Sequence, residues 1–148
     1  MSNRWFLVDG YSVLHQWPRL QKLAGRSLEI RRNTLIALLE RYADHSGRRV
    51  TVVFDAYAAK HKPETVDRPR GIEIIYSGKG KTADETIERF VGESTQPGLI
   101  LVVTSDNVER QVVETLGAQS QSAELFELEV AAELRELEKL IHQHTHRR

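Results

Sequence analysis

The chain has no cysteine. That absence removes disulfide staples, thiolate zinc centres and thiol nucleophiles together. Long hydrophobic runs are also missing: stretches such as residues 99–103 fall far short of the ~20 apolar residues that a membrane helix needs. Nothing near Met1 reads as a signal peptide, because Arg4 leads straight into Trp5-Phe6-Leu7-Val8, so a cytoplasmic protein without a membrane partner is expected. No glycine-rich loop follows this first apolar run; Asp9-Gly10-Tyr11-Ser12 stands there instead, which excludes a dinucleotide-binding Rossmann unit. There is no internal repeat, linker or low-complexity block. A chain of 148 residues without these features reads as one domain over 1–148, expected to be monomeric, with a frayed tail from about 143.

Net charge is absent as well, since 21 Lys+Arg balance 21 Asp+Glu. The balance is a sum of unequal parts. Residues 1–81 carry 15 basic and 8 acidic side chains (+7), and residues 82–148 carry 6 and 13 (−7). Such polarity points to a phosphate-bearing partner, with solvated helix faces as the plainer reading.

Three apolar runs, residues 5–8, 50–54 and 99–103, are nearly continuous and rich in β-branched or aromatic residues, the pattern of parallel strands buried on both faces. A fourth, residues 72–76, alternates and fits nearer an edge. Helical periodicity fills the gaps. It covers residues 28–42 with a stop at Gly47, residues 82–93 behind a capping box formed by Thr82 and Glu85, residues 107–116 before Gly117, and an acidic stretch from Ala123 to about His142. The pattern predicts an α/β fold with a mainly parallel central sheet between two layers of helices. Residues 56–71 read as a long basic loop holding Lys60, Lys62, Arg68 and Arg70, a candidate phosphate-contacting flap.

Carboxylates follow the apolar runs: Asp9 after the first, Asp55 after the second, Asp106 after Thr104-Ser105. In an open α/β sheet these strand ends share one edge, where ligands bind. The helix from Thr82 starts at the same edge, and Asp84 and Glu88 lie on its face with Ile87 and Val91. Inward-facing acids are costly to bury unless they share a cation. An oxygen-only donor set suits Mg²⁺ or Mn²⁺ and not zinc, and such clusters serve phosphodiester cleavage. Helix capping is the competing reading for Asp106, and ordering of the long loop for Asp55. Asp9 has no evident helix to cap.

Val8-Asp9-Gly10-Tyr11-Ser12, Val52-Val53-Phe54-Asp55, Thr82-Ala83-Asp84-Glu85-Thr86-Ile87-Glu88 and Thr104-Ser105-Asp106 together resemble the YacP-like branch of the NYN domain family over roughly residues 4–130. The resemblance implies a three-layer, PIN-like nuclease fold and a metal-dependent endoribonuclease acting on messenger RNA in association with the ribosome. It places the family's metal-ligating acids on Asp9, Asp84 and Asp106, with Glu88 a further catalytic candidate. Ser12, where the family usually has Asn, joins Asp55, Thr104 and Ser105 as supporting groups; a hydroxyl lacks the amide's second donor and its reach.

RNA contacts are expected from Lys79 and Lys81 beside the helix N-terminus, from Tyr11 by stacking, and from Lys60, Lys62, Arg68 and Arg70. Arg31 and Arg32 either extend this track or form an exposed helix face, and Trp17 either stacks on a base or packs in its loop. The His-rich end, His142 to His146, reads as a polar terminus and not a metal site. A phosphoacceptor receiver domain is excluded because Asp9 lacks an acidic neighbour and no Lys occurs between Lys81 and Lys139. The alternative that stands is a non-catalytic RNA or ribosome adaptor retaining the fold.

Overall fold

The structure is a computed structural model and describes residues 4–55, 64–68, 71–78 and 80–146. Among these residues the strands are β1 (Trp5–Asp9), β2 (Arg49–Phe54), β3 (Thr65–Asp67), β4 (Ile72–Tyr76), β5 (Ile100–Val103) and β6 (Gln119–Gln121). They form one sheet of order β3-β4-β2-β1-β5-β6, parallel throughout except where β3 runs antiparallel to β4. The helices are α1 (Gly10–Gln16), α2 (Pro18–Gln21), α3 (Leu28–Ser46), α4 (Ala83–Glu93), α5 (Asn107–Thr115) and α6 (Ala123–His146).

The apolar runs are continuous because successive residues serve opposite layers. Phe6, Val8, Val52 and Phe54 belong to a core with Leu14, Leu35, Leu39, Tyr42, Phe126 and Val130, from α1, α3 and α6. Leu7, Val53, Ile100 and Val102 belong to a second core with Ile87, Val91 and Val113, from α4 and α5. The layered α/β architecture expected from the sequence is therefore present.

Local chemistry sets the helix ends. Thr82 Oγ1 accepts the Glu85 N–H at 3.1 Å, as the capping box predicts. Ser27 Oγ does the same for Ile30 at 3.2 Å, and Gly47 ends α3 in the left-handed region at φ 72°.

Some elements differ from the sequence reading. Asp9 does precede a helix, α1, yet its side chain makes no capping hydrogen bond. The long loop read over 56–71 contains β3, a short strand exposed at all three residues. Polar β6 adds to the other edge. α6 stays helical through His146, past the expected fraying point. Trp17 is 2% exposed and donates its indole N–H to the Ala123 carbonyl at 2.8 Å, so it packs and is closed to bases.

The connections place a crevice. From β1 the chain passes through α1, α2 and α3 to β2 on one side, and after β4 it returns by α4 to β5 on the other. The strand order thus reverses between β1 and β5, and their carboxyl ends flank the position where open α/β sheets bind ligands.

Candidate active site

Asp9, the last residue of β1, is 9% exposed at this crevice. Hydroxyls surround it. Ser12 Oγ donates to Asp9 Oδ2 at 2.8 Å, Thr104 Oγ1 donates to the same oxygen at 3.2 Å, and Ser105 Oγ donates to Ser12 Oγ at 3.1 Å. The Asp106 N–H in turn donates to Thr104 Oγ1 at 3.2 Å. Each proton points toward Asp9, so the network supports the ionised carboxylate. Burial nevertheless dominates and raises the Asp9 pKa above its usual value, against the lowering effect of the Ser12 and Thr104 hydrogen bonds.

Helix α4 brings Asp84 to the same place. Its carboxyl is pushed up from 3.8 to about 6, first by burial and then by the charges of Asp9, Asp106, Glu88 and Asp55. Four further acids from three other segments and α4 itself therefore act on one carboxyl, which is the convergence expected at the strand ends. Asp106 realises the capping alternative: its Oδ1 accepts the N–H of Val108 at 2.9 Å and of Glu109 at 3.3 Å, opening α5. One carboxylate oxygen is so engaged, and the residue is otherwise exposed.

Sequence reasoning missed Glu109. It is 4% exposed, its Oε1 is buried without a hydrogen-bond partner, and its pKa lies far above the ordinary carboxylate range. Burial is the first cause, followed by a hydrogen bond with Glu88 and by the charges of Asp84, Glu88 and Asp106. The Glu109 carboxyl is therefore held in the neutral form at neutral pH. A signal existed: Glu109 and Val113, four apart, share the inward face of α5, just as Asp84 and Glu88 share that of α4. The Asp-x-x-Glu spacing from Asp106 concealed it by resembling an ordinary helix start.

The remaining expected contacts are divided. Tyr11 and Lys81 lie at the carboxyl edge with the acids, Lys81 just ahead of the Thr82 cap and 3.9 Å from Glu85. Arg68 does not: it follows antiparallel β3, which carries it to the opposite edge, where its Nε meets Glu73 Oε2 at 3.4 Å. Lys60, Lys62, Arg70 and Lys79 lie outside the described residues. Arg31 and Arg32 are half-buried and so do not form a solvated face.

The donor set fits a hard divalent cation: all oxygen, mutually repelling, with an orphaned buried oxygen on Glu109. Among the described residues, however, no three His, Cys, Asp or Glu side chains are grouped tightly enough to hold a metal ion as placed. Ligation would require side-chain rotation. No helix among the described residues is long and apolar enough to cross a membrane.

Known proteins match this arrangement. The YacP-like NYN domain family profile covers residues 6–148. The chain is 36% identical over 141 residues to the uncharacterized protein YacP of Bacillus subtilis (strain 168), covering 91% of this chain and 79% of that one. The crystal structure of Rae1 (YacP) from Bacillus subtilis superposes with a TM-score of 0.79 at 34% identity, over 97% of this chain and 82% of that one. A mutant form of the same protein gives a TM-score of 0.77 at 33% identity, over 95% and 82%. With this PIN-like sheet and its acid-lined switch point, the chain belongs to the YacP-like NYN domain family, a nuclease-like family.

Proposed function

We propose that the protein is an endoribonuclease that uses Mg²⁺ or Mn²⁺ to cut messenger RNA on the ribosome. The observation that carries the reading is the convergence of Asp9, Asp55, Glu88 and Asp106 on Asp84, with Glu109 beside them, at the sheet's topological switch point. Acids on this scale are destabilising unless their charge has a use. The RNA substrate and ribosomal partner rest on the family resemblance.

Asp9, Asp84 and Asp106 would hold the cation, which when bound supplies charge neutralisation at the scissile phosphate and an activated water. The chain's own groups do the rest. Ser12 and Thr104 fix Asp9 Oδ2 so that the carboxylate cannot swing away. Glu109, held neutral by burial, keeps a proton beside the ligands, available to a leaving oxygen. Lys81 and the α4 N-terminus draw a backbone phosphate toward the acids.

The test is cleavage of a translated message by purified protein with ribosomes and Mn²⁺, beside free RNA and beside Asp9→Asn and Asp84→Asn. Wild-type cleavage lost in both variants supports the enzyme. Absence of cleavage with retained RNA or ribosome binding establishes the adaptor instead, and an Asp84→Asn protein that cuts like wild type refutes the site assignment.

A further inference from the structure

Beside the acids, the carboxyl edge of β2 and β4 carries a second construction. Phe54 and Tyr76 end these strands as register partners, with rings stacked at 5.7 Å and 24°. Tyr11 from α1 meets Phe54 edge-on at 5.6 Å and 68°. Over both strand-end rings lies the Arg32 guanidinium, 5.9 Å from the Phe54 centroid and 5.7 Å from that of Tyr76. Phe54 is wholly buried, whereas Arg32, Tyr76 and Tyr11 are half-buried and retain solvent-facing surface.

Among the described residues four arginines lie over aromatic rings; Arg48, Arg49 and Arg89 each also face a carboxylate, but Arg32 makes no ion pair among them. A half-desolvated guanidinium backed by two rings and making no ion pair among the described residues is suited to a flat π-system that brings negative charge with it. Unpaired bases stack on guanidinium planes and aromatic rings, and their phosphates supply the charge. Asp9 and Tyr76 stand on strands two positions apart, about 10 Å at the usual inter-strand spacing, so a strand draped over this edge reaches both.

We propose that Arg32, backed by Phe54 and Tyr76 and bordered by Tyr11, receives an unpaired RNA base next to the phosphate that lies at the acids. This rests on the RNA-cleaving reading above and adds a base subsite to it. The subsite takes any base that can be unstacked and excludes duplex, since a paired base offers no free face. It holds the strand in register with the acids without itself touching the reacting phosphate.

The experiment is equilibrium binding of the full chain, in EDTA so that no cleavage occurs, to an unstructured oligoribonucleotide and to versions with one abasic position each. Arg32→Lys keeps the charge and removes the plane; Tyr76→Leu removes the backing ring; both are first checked for a wild-type melting profile. The expected result is roughly tenfold weaker binding of the intact strand by either variant. That loss disappears with the oligonucleotide abasic at the contacted position, and in Mn²⁺ KM rises while kcat holds. Variants that bind like wild type, or weaken on every abasic strand alike, overturn the subsite and leave the nuclease reading standing. A wild-type protein that neither binds the oligonucleotide nor cuts a message with ribosomes and Mn²⁺ present overturns both.

Discussion

Ser12 Oγ donates to Asp9 Oδ2 at 2.8 Å, and the two residues are the N-terminal cap position and third residue of the same short helix. One turn of backbone thus supplies both the buried acid and its support. Because the hydroxyl favours the ionised form, Ser12→Ala should raise the Asp9 pKa further and cost about 1–2 kcal/mol where Asp9 is charged. Melting at pH 8 against pH 4 checks this, with a larger loss expected at pH 8. An equal loss at both would show that Ser12 only fills space.

Substitution of Asp84 should act in the opposite direction. Its folded pKa of about 6 exceeds the unfolded 3.8, so the folded protein binds the extra proton between those values and loses stability as pH rises through them. Asp84→Asn removes the penalty. After discounting for solvent screening at this half-buried site, a gain of about 1 kcal/mol, or roughly 2–4 °C in Tm, is expected at pH 7.5 and none near pH 3.5. Calorimetry across that range would expose a gain independent of pH, which this account does not allow.

Gly10 follows Asp9, and a Cβ there would come within 2.3 Å of the Phe54 ring. Phe54 is walled in by Tyr11, Tyr76 and Arg32, leaving it nowhere to move. Gly10→Ala should destabilise by about 2 kcal/mol or more, measured by urea unfolding. A variant within 0.5 kcal/mol of wild type, roughly the range of neutral surface changes, would mean that the ring is less confined than described.

Asp106 combines a cap with a charge, and two substitutions separate them. Asp106→Asn keeps an oxygen for the Val108 and Glu109 N–H groups, whereas Asp106→Ala loses the cap at about 1 kcal/mol. If Asp106 is a ligand, both variants should lose part of the Tm increase that Mn²⁺ gives wild type. A Mn²⁺ response retained in full by Asp106→Asn would reduce the residue to its cap.

The strands with both faces buried were legible because six or fewer apolar residues in a row leave little choice but a parallel strand between helices. Asp9, Asp84 and Asp106 were legible for a related reason: strand ends and a capping box fix position without knowledge of packing. What escaped is short or disguised. β3 and β6 have three residues each and no apolar pattern, so only their neighbours' unpaired backbone specifies them. α1 is seven residues opened by glycine, and tertiary packing of Val13 and Leu14 holds it where propensity would not. Arg31 and Arg32 sit on a helix whose polar positions look solvated in sequence, and the sheet edge rising beside them changes that. Glu109 was hidden by its own helix start.

β1 is made first but lies between β2 and β5, and β5 ends at Val103. Its second edge therefore stays open until more than two thirds of the chain has emerged, and Asp9 has no Thr104 hydroxyl before then. Long-range parallel pairing of this kind forms late in folding. The acidic centre consequently has no early form: a partly synthesised chain carries Asp9 and Asp84 but not the Asp106–Glu109 turn that completes the group.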